Sequence, residues 1–321
     1  MNLKSIEYFL IIADERNISR AADRISISQQ ALSAQIKRME EELDAPLFER
    51  KPLFRLTPSG EQLVYYGRQM MNTNSNLQAA LSDISTEKRG KLRVGISRLR
   101  SDAFFPLIWK LYHPSHTNID IELVNGNSSQ LDAALESGRI DLYVGVDVPN
   151  NYNRHKIQIG TEKIMCGFEE AALRKCYPDT WRELLKVFSR HGVDPNQISR
   201  MPLLSMRTGN KLRHVLDEYV SQNTKLHYIL ESEQQNIIYD MMRQGNGAGI
   251  VSPVICYKHH LDPDFSTPTF HLFPLVDKIP TTTTYLVYSN EYRIPVYMSD
   301  FIQDATMVFT SFTRAMNRNF V

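Results

Sequence analysis

Residues 18–50 read ISRAADRISISQQALSAQIKRMEEELDAPLFER, and this stretch decides the fold of the amino-terminal part of the chain. From Ser28 to Leu43 the residues Leu32, Ile36, Met39 and Leu43 fall within a narrow arc of a helical wheel, with Gln30, Ala34, Lys37 and Glu41 roughly opposite. Ser28 has the side chain to cap that helix, and Ser19 to cap a shorter one from Arg20 to Ile25. Ala21 and Ala22 permit close crossing of the short helix, while Ile25 and Ile27 are expected to turn inward and seal the corner. A preceding helix, Leu3 to Asp14, brings Ile6, Phe9, Leu10 and Ala13 as the third wall. Three helices are the minimum that buries such a stripe. The pattern is a helix-turn-helix with a tight, glycine-free turn.

Charge along the second helix is graded. Its first half is neutral and hydrogen-bonding (Gln29, Gln30, Ser33, Gln35), its middle cationic (Lys37, Arg38) and its end acidic (Glu40, Glu41, Glu42, Asp44). Acid at a helix C-terminus opposes the macrodipole, so helix stability does not explain it. A helix entering a DNA major groove by its N-terminal half would read bases with Gln and Ser and touch phosphates with Lys37 and Arg38. Its carboxylates would then point away from the duplex. An ordinary amphipathic helix with a solvated face would share this pattern, and the residues C-terminal to it shift the balance. Leu47 to Arg50 and Phe54 to Leu56 read as two short strands about Lys51-Pro52-Leu53, a wing that gathers Arg50, Lys51 and Arg55. Thr57-Pro58 has the cap and first-position residues of a new helix.

In order, these residues resemble the LysR-type transcriptional regulators. The resemblance rests on the alanine-rich first helix, the Ser28-Gln29 opening, then Ser33, Ile36 and Glu40, the wing from Pro46 to Arg50, and Leu56 to Gly60 leading into a long helix. It implies a winged helix-turn-helix over 1–57, a linker and dimerisation helix with hinge over 58–90, and an effector-binding domain over 91–321. It further implies duplex contacts around Ser28, Gln29, Gln30, Ser33, Ala34, Lys37 and Arg38, with Arg50 and Arg55 on the backbone. Two positions depart from the family. Ala34 has no hydrogen-bonding group and can at most meet a thymine methyl. Asp44-Ala45 stands where glycine is usual, although aspartate tolerates the left-handed turn.

With 321 residues the chain suits two or three domains, and its net charge of +1 makes DNA binding a matter of local cation placement. No signal peptide or membrane span is legible, which fits a cytoplasmic protein. Leu63, Met70, Leu77 and Ile84 recur at heptad spacing, with Tyr66, Ala80 and Leu81 beside them, as in a two-helix seam between copies. The seam supports a dimer; the family resemblance implies a tetramer of two dimers. Thr86 to Gly90 reads as a polar hinge.

Beyond the hinge, strands alternate with helices, giving βαβ units and a largely parallel sheet. The layout resembles the family's bilobal α/β effector domain, akin to a periplasmic binding protein. The first lobe is expected over 91–160 and 270–321, the second over 161–269. A ligand belongs between the lobes, at the C-terminal ends of strands. Ser97, Ser101, Ser128, Ser129, Ser205 and Thr208 lie at those turns, with Arg98, Arg100 and Arg207 beside them as charge-assisted forks. They suit a small anionic metabolite, although serines at helix starts commonly serve only as caps.

Gly245-Asn246-Gly247-Ala248-Gly249 lies between a helix and a strand, the reverse of a dinucleotide fingerprint. Cys166, Cys176 and Cys256 show no CxxC spacing, and His259-His260 has no partners at metal spacing. No catalytic constellation, metal set or cofactor motif is recognisable. Two alternatives to an effector-controlled regulator remain on the sequence: a small-molecule enzyme, or a cysteine redox sensor using Cys166 and Cys176, fused to the DNA-binding head.

Overall fold

The computed structural model describes residues 1–49, 53–82, 90–220, 224–260, 269–290 and 294–319, with backbone alone at 75, 76, 79, 80, 82, 256, 258–260 and 317–319. The chain starts with α1 (Leu3–Glu15), α2 (Ile18–Arg24) and α3 (Gln29–Leu43). They share a core of Ile6, Phe9, Leu10, Ala21, Ala22, Leu32, Ile36 and Met39, as the sequence leads one to expect, with Ile12 from α1 in the core and the expected Ala13 outside it. Ile25 and Ile27 pack against its edge. Ser28 caps α3, accepting from the Ala31 amide at 3.1 Å. The cap of α2 is Asn17 rather than Ser19, since asparagine caps equally well and comes earlier in the chain. Leu43, the last residue of α3, is 39% exposed and not part of the stripe. Asp44 closes the helix in the left-handed region (φ 48°) without a glycine, and the Ala45 amide bonds back to the Glu40 carbonyl.

The wing is β1 (Phe48–Glu49) paired antiparallel with β2 (Arg55–Leu56). Thr57 then opens α4 (Pro58–Ser82): its hydroxyl donates to the Pro46 carbonyl at 2.6 Å and accepts from the Gly60 amide at 3.0 Å. Gly60 is required there, because a Cβ would stand 2.2 Å from the Leu47 carbonyl oxygen. Arg68 on α4 pairs with Asp14 on α1 at 2.6 Å, fixing the long helix to the head.

Among the described residues, two five-stranded sheets come after the linker. The first contains β3 (Gly90–Ile96), β4 (Ile119–Asn125), β5 (Leu142–Val146), β6 (Arg154–Glu162) and β12 (Thr282–Ser289), in the order β4-β3-β5-β12-β6. The second contains β7 (Met165–Glu169), β8 (Pro202–Met206), β9 (His227–Ser232), β10 (Ala248–Val251) and β11 (Phe270–Pro274), in the order β11-β7-β10-β8-β9. Strands β3, β4 and β5 run parallel, as do β8, β9 and β10, while β12 and β7 run antiparallel to their neighbours. Two segments cross between the lobes, one after Glu162 and one between Pro274 and Thr282. Lys163 and Asp277, one from each crossing, pair at 2.9 Å.

This moves the expected lobe boundary. β11 pairs with β7, so the chain returns to the first lobe after Pro274, not at 270. On the first sheet pack α5 (Arg98–Tyr112), α6 (Ser128–Glu136) and the last helix, α12 (Val296–Asn319). Phe104, Ile108, Tyr112, Phe301, Phe309 and Phe312 from α5 and α12 fill that core. The second lobe carries α7 (Glu170–Cys176), α8 (Trp181–His191), α9 (Lys211–Tyr219) and α10 (Gln235–Arg243), whereas α11 (Pro253–His260), which follows β10, packs against the first lobe through Val254 and through Tyr257 beside Phe104 and Phe312. β6, α7 and α11 were not expected from the sequence.

Candidate DNA-reading surface and inter-lobe cleft

On the head, Gln29, Gln30, Ala34, Lys37 and Arg38 are exposed along one side of α3, with Ser33 half-buried among them. Gln29 accepts a hydrogen bond from Ser19 at 2.9 Å, whereas Gln35 turns inward and donates to Ser5 on α1 at 2.6 Å. Lys37 lies 3.7 Å from Glu41 one turn later. On the wing, Arg55 meets Glu49 across the hairpin at 2.5 Å; Arg50 and Lys51 lie outside the described residues. The acid of α3 is not all solvated. Glu40 accepts from the amides of Leu47 at 2.8 Å and Phe48 at 3.3 Å, fixing the wing to the reading helix. The sequence placed a carboxylate there but gave no sign of this role, which depends on amides at the neighbouring hairpin.

Between the lobes, the residues after β5 meet the start of α9, and the residues after β3 and β10 meet at Glu162. A cross-lobe ion pair shows the approach: Lys211, first residue of α9, contacts Asp147 just after β5. Asp147 is itself anchored: its carboxylate accepts from the Thr283 amide at 2.6 Å and its amide donates to the Thr283 carbonyl at 2.7 Å. Sequence reasoning missed both residues. A signal existed, because a lysine at the first position of a helix opposes the dipole and calls for another reason.

The expected effector residues divide into groups. Ser97 precedes α5 with its hydroxyl buried and unpaired among the described residues, while Ser101 is buried on that helix. Arg98, Ser129, Arg207 and Thr208 are exposed, Arg207 lying 3.3 Å from Glu233. Ser205 is buried on β8. Ser128 is engaged internally: its hydroxyl accepts from the Val146 amide at 2.9 Å and donates to the Val146 carbonyl at 3.2 Å. Asn127, with Gln130, caps α6 instead. Arg100 does not extend a free fork. Its Nη2 contacts both Glu162 oxygens at 2.9 Å, and Ser252 and Thr284 donate to the same carboxylate at 3.2 Å. With side chains 9% and 3% exposed, Arg100 and Glu162 form a buried polar joint where the lobes meet.

The remaining motifs have structural explanations. Gly245 adopts φ 78° just after α10, a helix stop before β10. Cys166 is fully buried on β7, and burial pushes its thiol well above the ordinary range, away from the reactive thiolate. The side chains of Cys256, His259 and His260 lie outside the described residues. Among the described residues no cluster of His, Cys, Asp or Glu could hold a metal, and no helix is long and apolar enough to cross a membrane.

A winged reading head, a long connecting helix and a two-lobed domain with a polar cleft define a ligand-controlled DNA-binding regulator. The signature of the bacterial regulatory helix-turn-helix proteins, lysR family, matches residues 3–61, and that of the LysR substrate binding domain matches residues 85–308. The chain belongs to the LysR family of transcriptional regulators. It is 24% identical over 306 residues to an uncharacterized HTH-type transcriptional regulator, YraN, of Bacillus subtilis (strain 168), covering 93% of this chain and 96% of that one. Its fold is similar to that of a full-length OxyR variant from Pseudomonas aeruginosa (TM-score 0.73, 19% identity, 96% and 95% of the two chains). It also resembles full-length CbnR complexed with its target DNA (TM-score 0.61, 15% identity, 96% and 100%).

Proposed function

We propose that α3 reads an operator in the major groove through Gln29, Gln30 and Ser33, with the Ala34 methyl against a thymine. Lys37, Arg38 and the wing arginines Arg50 and Arg55 hold phosphates. The observation that carries this reading is the exposed, hydrogen-bonding face of α3 beside a wing that Glu40 holds in place. The protein acts in the cytoplasm, as a regulator and not an enzyme. Two copies join through the apolar stripe of α4, where Tyr66, Met70 and Leu77 are 53%, 44% and 58% exposed, and two dimers form a tetramer. Paired heads suit a palindromic operator.

The controlling ligand is a small anion bound between the lobes. The cleft-side residues Ser97, Arg98, Ser129, Ser205, Arg207 and Thr208 and the Lys211 ammonium support that chemistry. Arg100, Ser101 and Ser128 shape the cleft walls from behind. Closure around the ligand alters the spacing of the heads, and ligand and DNA affinities change reciprocally. A mobility shift with the DNA upstream of the protein's own gene tests the head: Gln30→Ala and Lys37→Ala should each weaken a specific band. Retention of full affinity by both variants would remove α3 from the interface. Isothermal titration with a panel of small carboxylates and phosphates tests the cleft. Equal affinity in wild type, Ser97→Ala and Lys211→Met would place the ligand elsewhere.

A further inference from the structure

Helix α6 and strand β5 pack as one piece with two working ends. At the cleft, Ser128 bonds both polar groups of Val146, and Asp147 reaches across to Lys211. Along its length, Leu131, Leu135, Ile140 and Tyr143 share a buried cluster, and the Tyr143 hydroxyl donates to Asp132 at 3.1 Å. Nine helical residues carry the piece about 13 Å from the cleft to its far end, at Gly138.

That far end meets the linker helix. Asn72 on α4 donates to the Gly138 carbonyl at 3.0 Å and accepts from Arg93 Nη2 at 2.8 Å. Arg93 donates to the same carbonyl at 3.1 Å and pairs with Asp141 at 3.2 Å, just before β5. The fit is close. Gly138 has φ +67°, and a Cβ on it would stand 2.3 Å from Asn72 Nδ2. Both polar ends of the Asn72 amide are therefore satisfied by the effector domain, while Arg68, one turn earlier on α4, holds Asp14 of the head. A contiguous path runs from α9 through Asp147, α6–β5, Gly138 and Asn72 to α1.

The geometry points to α6–β5 as a coupler between the Lys211–Asp147 pair in the cleft and the Asn72–Gly138–Arg93 joint on the linker helix. In this arrangement Asp147 holds Lys211 in the ligand-free cleft, and an anion that takes Lys211 from Asp147 as the lobes close on it frees the cleft end of α6–β5 and loosens the linker joint. The inference rests on the cleft being the effector site, but its two ends can be tested with no effector and no DNA present.

The experiment is hydrogen exchange on the full chain, comparing wild type with Lys211→Met, Asp147→Asn, Asn72→Ala and the double variant Lys211→Met/Asn72→Ala. Asp147→Asn keeps an oxygen for the Thr283 amide, so it separates loss of charge from loss of fold. Wild type should protect the peptides spanning residues 66–77. Each single variant should reduce that protection by about fivefold, the equivalent of one lost hydrogen bond. The double variant should match Asn72→Ala alone, because both substitutions open one joint. Peptides of α3 should be unaffected. Unchanged exchange of residues 66–77 in both cleft variants would overturn the coupling, as would a double variant in which the two effects multiply, or a wild-type linker already as open as Asn72→Ala. Failure to bind DNA in the mobility shift, or carboxylates in the titration, would leave this result intact, so the two readings fail separately.

Discussion

At the scale of single residues, two carboxylates determine how the molecule holds its working parts. Glu40 lies toward the C-terminal end of α3, where the dipole disfavours it, yet it satisfies two wing amides at 2.8 and 3.3 Å. Glu40→Ala leaves both donors without that acceptor and should cost about 1–3 kcal/mol of head stability, with a parallel loss of operator affinity. Glu40→Gln keeps one acceptor oxygen and should fall between; thermal unfolding would rank the three. Glu162 is the second. Arg100→Met strands its charge among Ser252 and Thr284 and should destabilise by about 3–5 kcal/mol, whereas Arg100→Met with Glu162→Met should recover most of that loss. Denaturant midpoints check both; equal stability of the single and double variants would contradict the buried-pair argument. These residues also mark what sequence could show. Arg100 beside a strand end invited the reading of a ligand fork, because its partner lies 62 positions away and the pairing exists only once β6 and α5 meet. Ser28 needed no such knowledge, since a cap bonds within its own turn.

At the scale of elements, legibility follows the distance over which an element is specified. The head helices were apparent because their period is local and one face is buried. β6 is not legible although RHKIQIGTE is extended, because its partner among the described residues is β12, far along the chain. The chain's return to the first lobe is expected at 270 but comes only after Pro274, for the sheet membership of β11 is set by pairing with β7 rather than by chain order. The linker helix is the mixed case. Its stripe was legible in part: in the structure Tyr66, Met70, Leu77 and Leu81 are exposed on the single chain, Leu63 packs instead against the core of the head, and Ile84 lies outside the described residues. A helix that leaves such a stripe exposed calls for an apolar partner. Burying each of these side chains is worth about 1.5–3 kcal/mol, so Met70→Lys with Leu77→Lys should separate the two copies that share this seam and halve the mass of the assembly. Sedimentation velocity would show the halved mass, with helical content retained; an unchanged mass would rule out α4 as the seam.

At the scale of the whole molecule, the difficulty is charge. The chain carries only +1, and residues 1–57 contain nine Lys and Arg against nine Asp and Glu. No long-range field draws this head to DNA, so its cations must stand apart from its acids. The structure shows how. Glu15 lies with Arg20 and Arg24, Asp14 with Arg68, Glu42 with the N-terminal amine, and Glu40 with the wing amides. Asp14, Glu15 and Glu42 are thus ion-paired, and Glu40 is hydrogen-bonded to amides. Lys37 and Glu41, with side chains 75% and 64% exposed, are different, because their 3.7 Å contact lies on the reading face and adds little to folding. Phosphate should therefore compete with Glu41 for Lys37. Lys37→Ala should weaken binding about uniformly across sequences and lower the salt slope by about one per head. Glu41→Gln should do the reverse, raising affinity by roughly two- to threefold at low salt, with the advantage fading as the salt concentration rises. Fluorescence anisotropy on one operator fragment, titrated at several salt concentrations, measures both. If Lys37→Ala changes affinity for one base sequence while leaving the salt slope untouched, that side chain reads a base edge and not a phosphate, and the docking of α3 must be rotated about its axis.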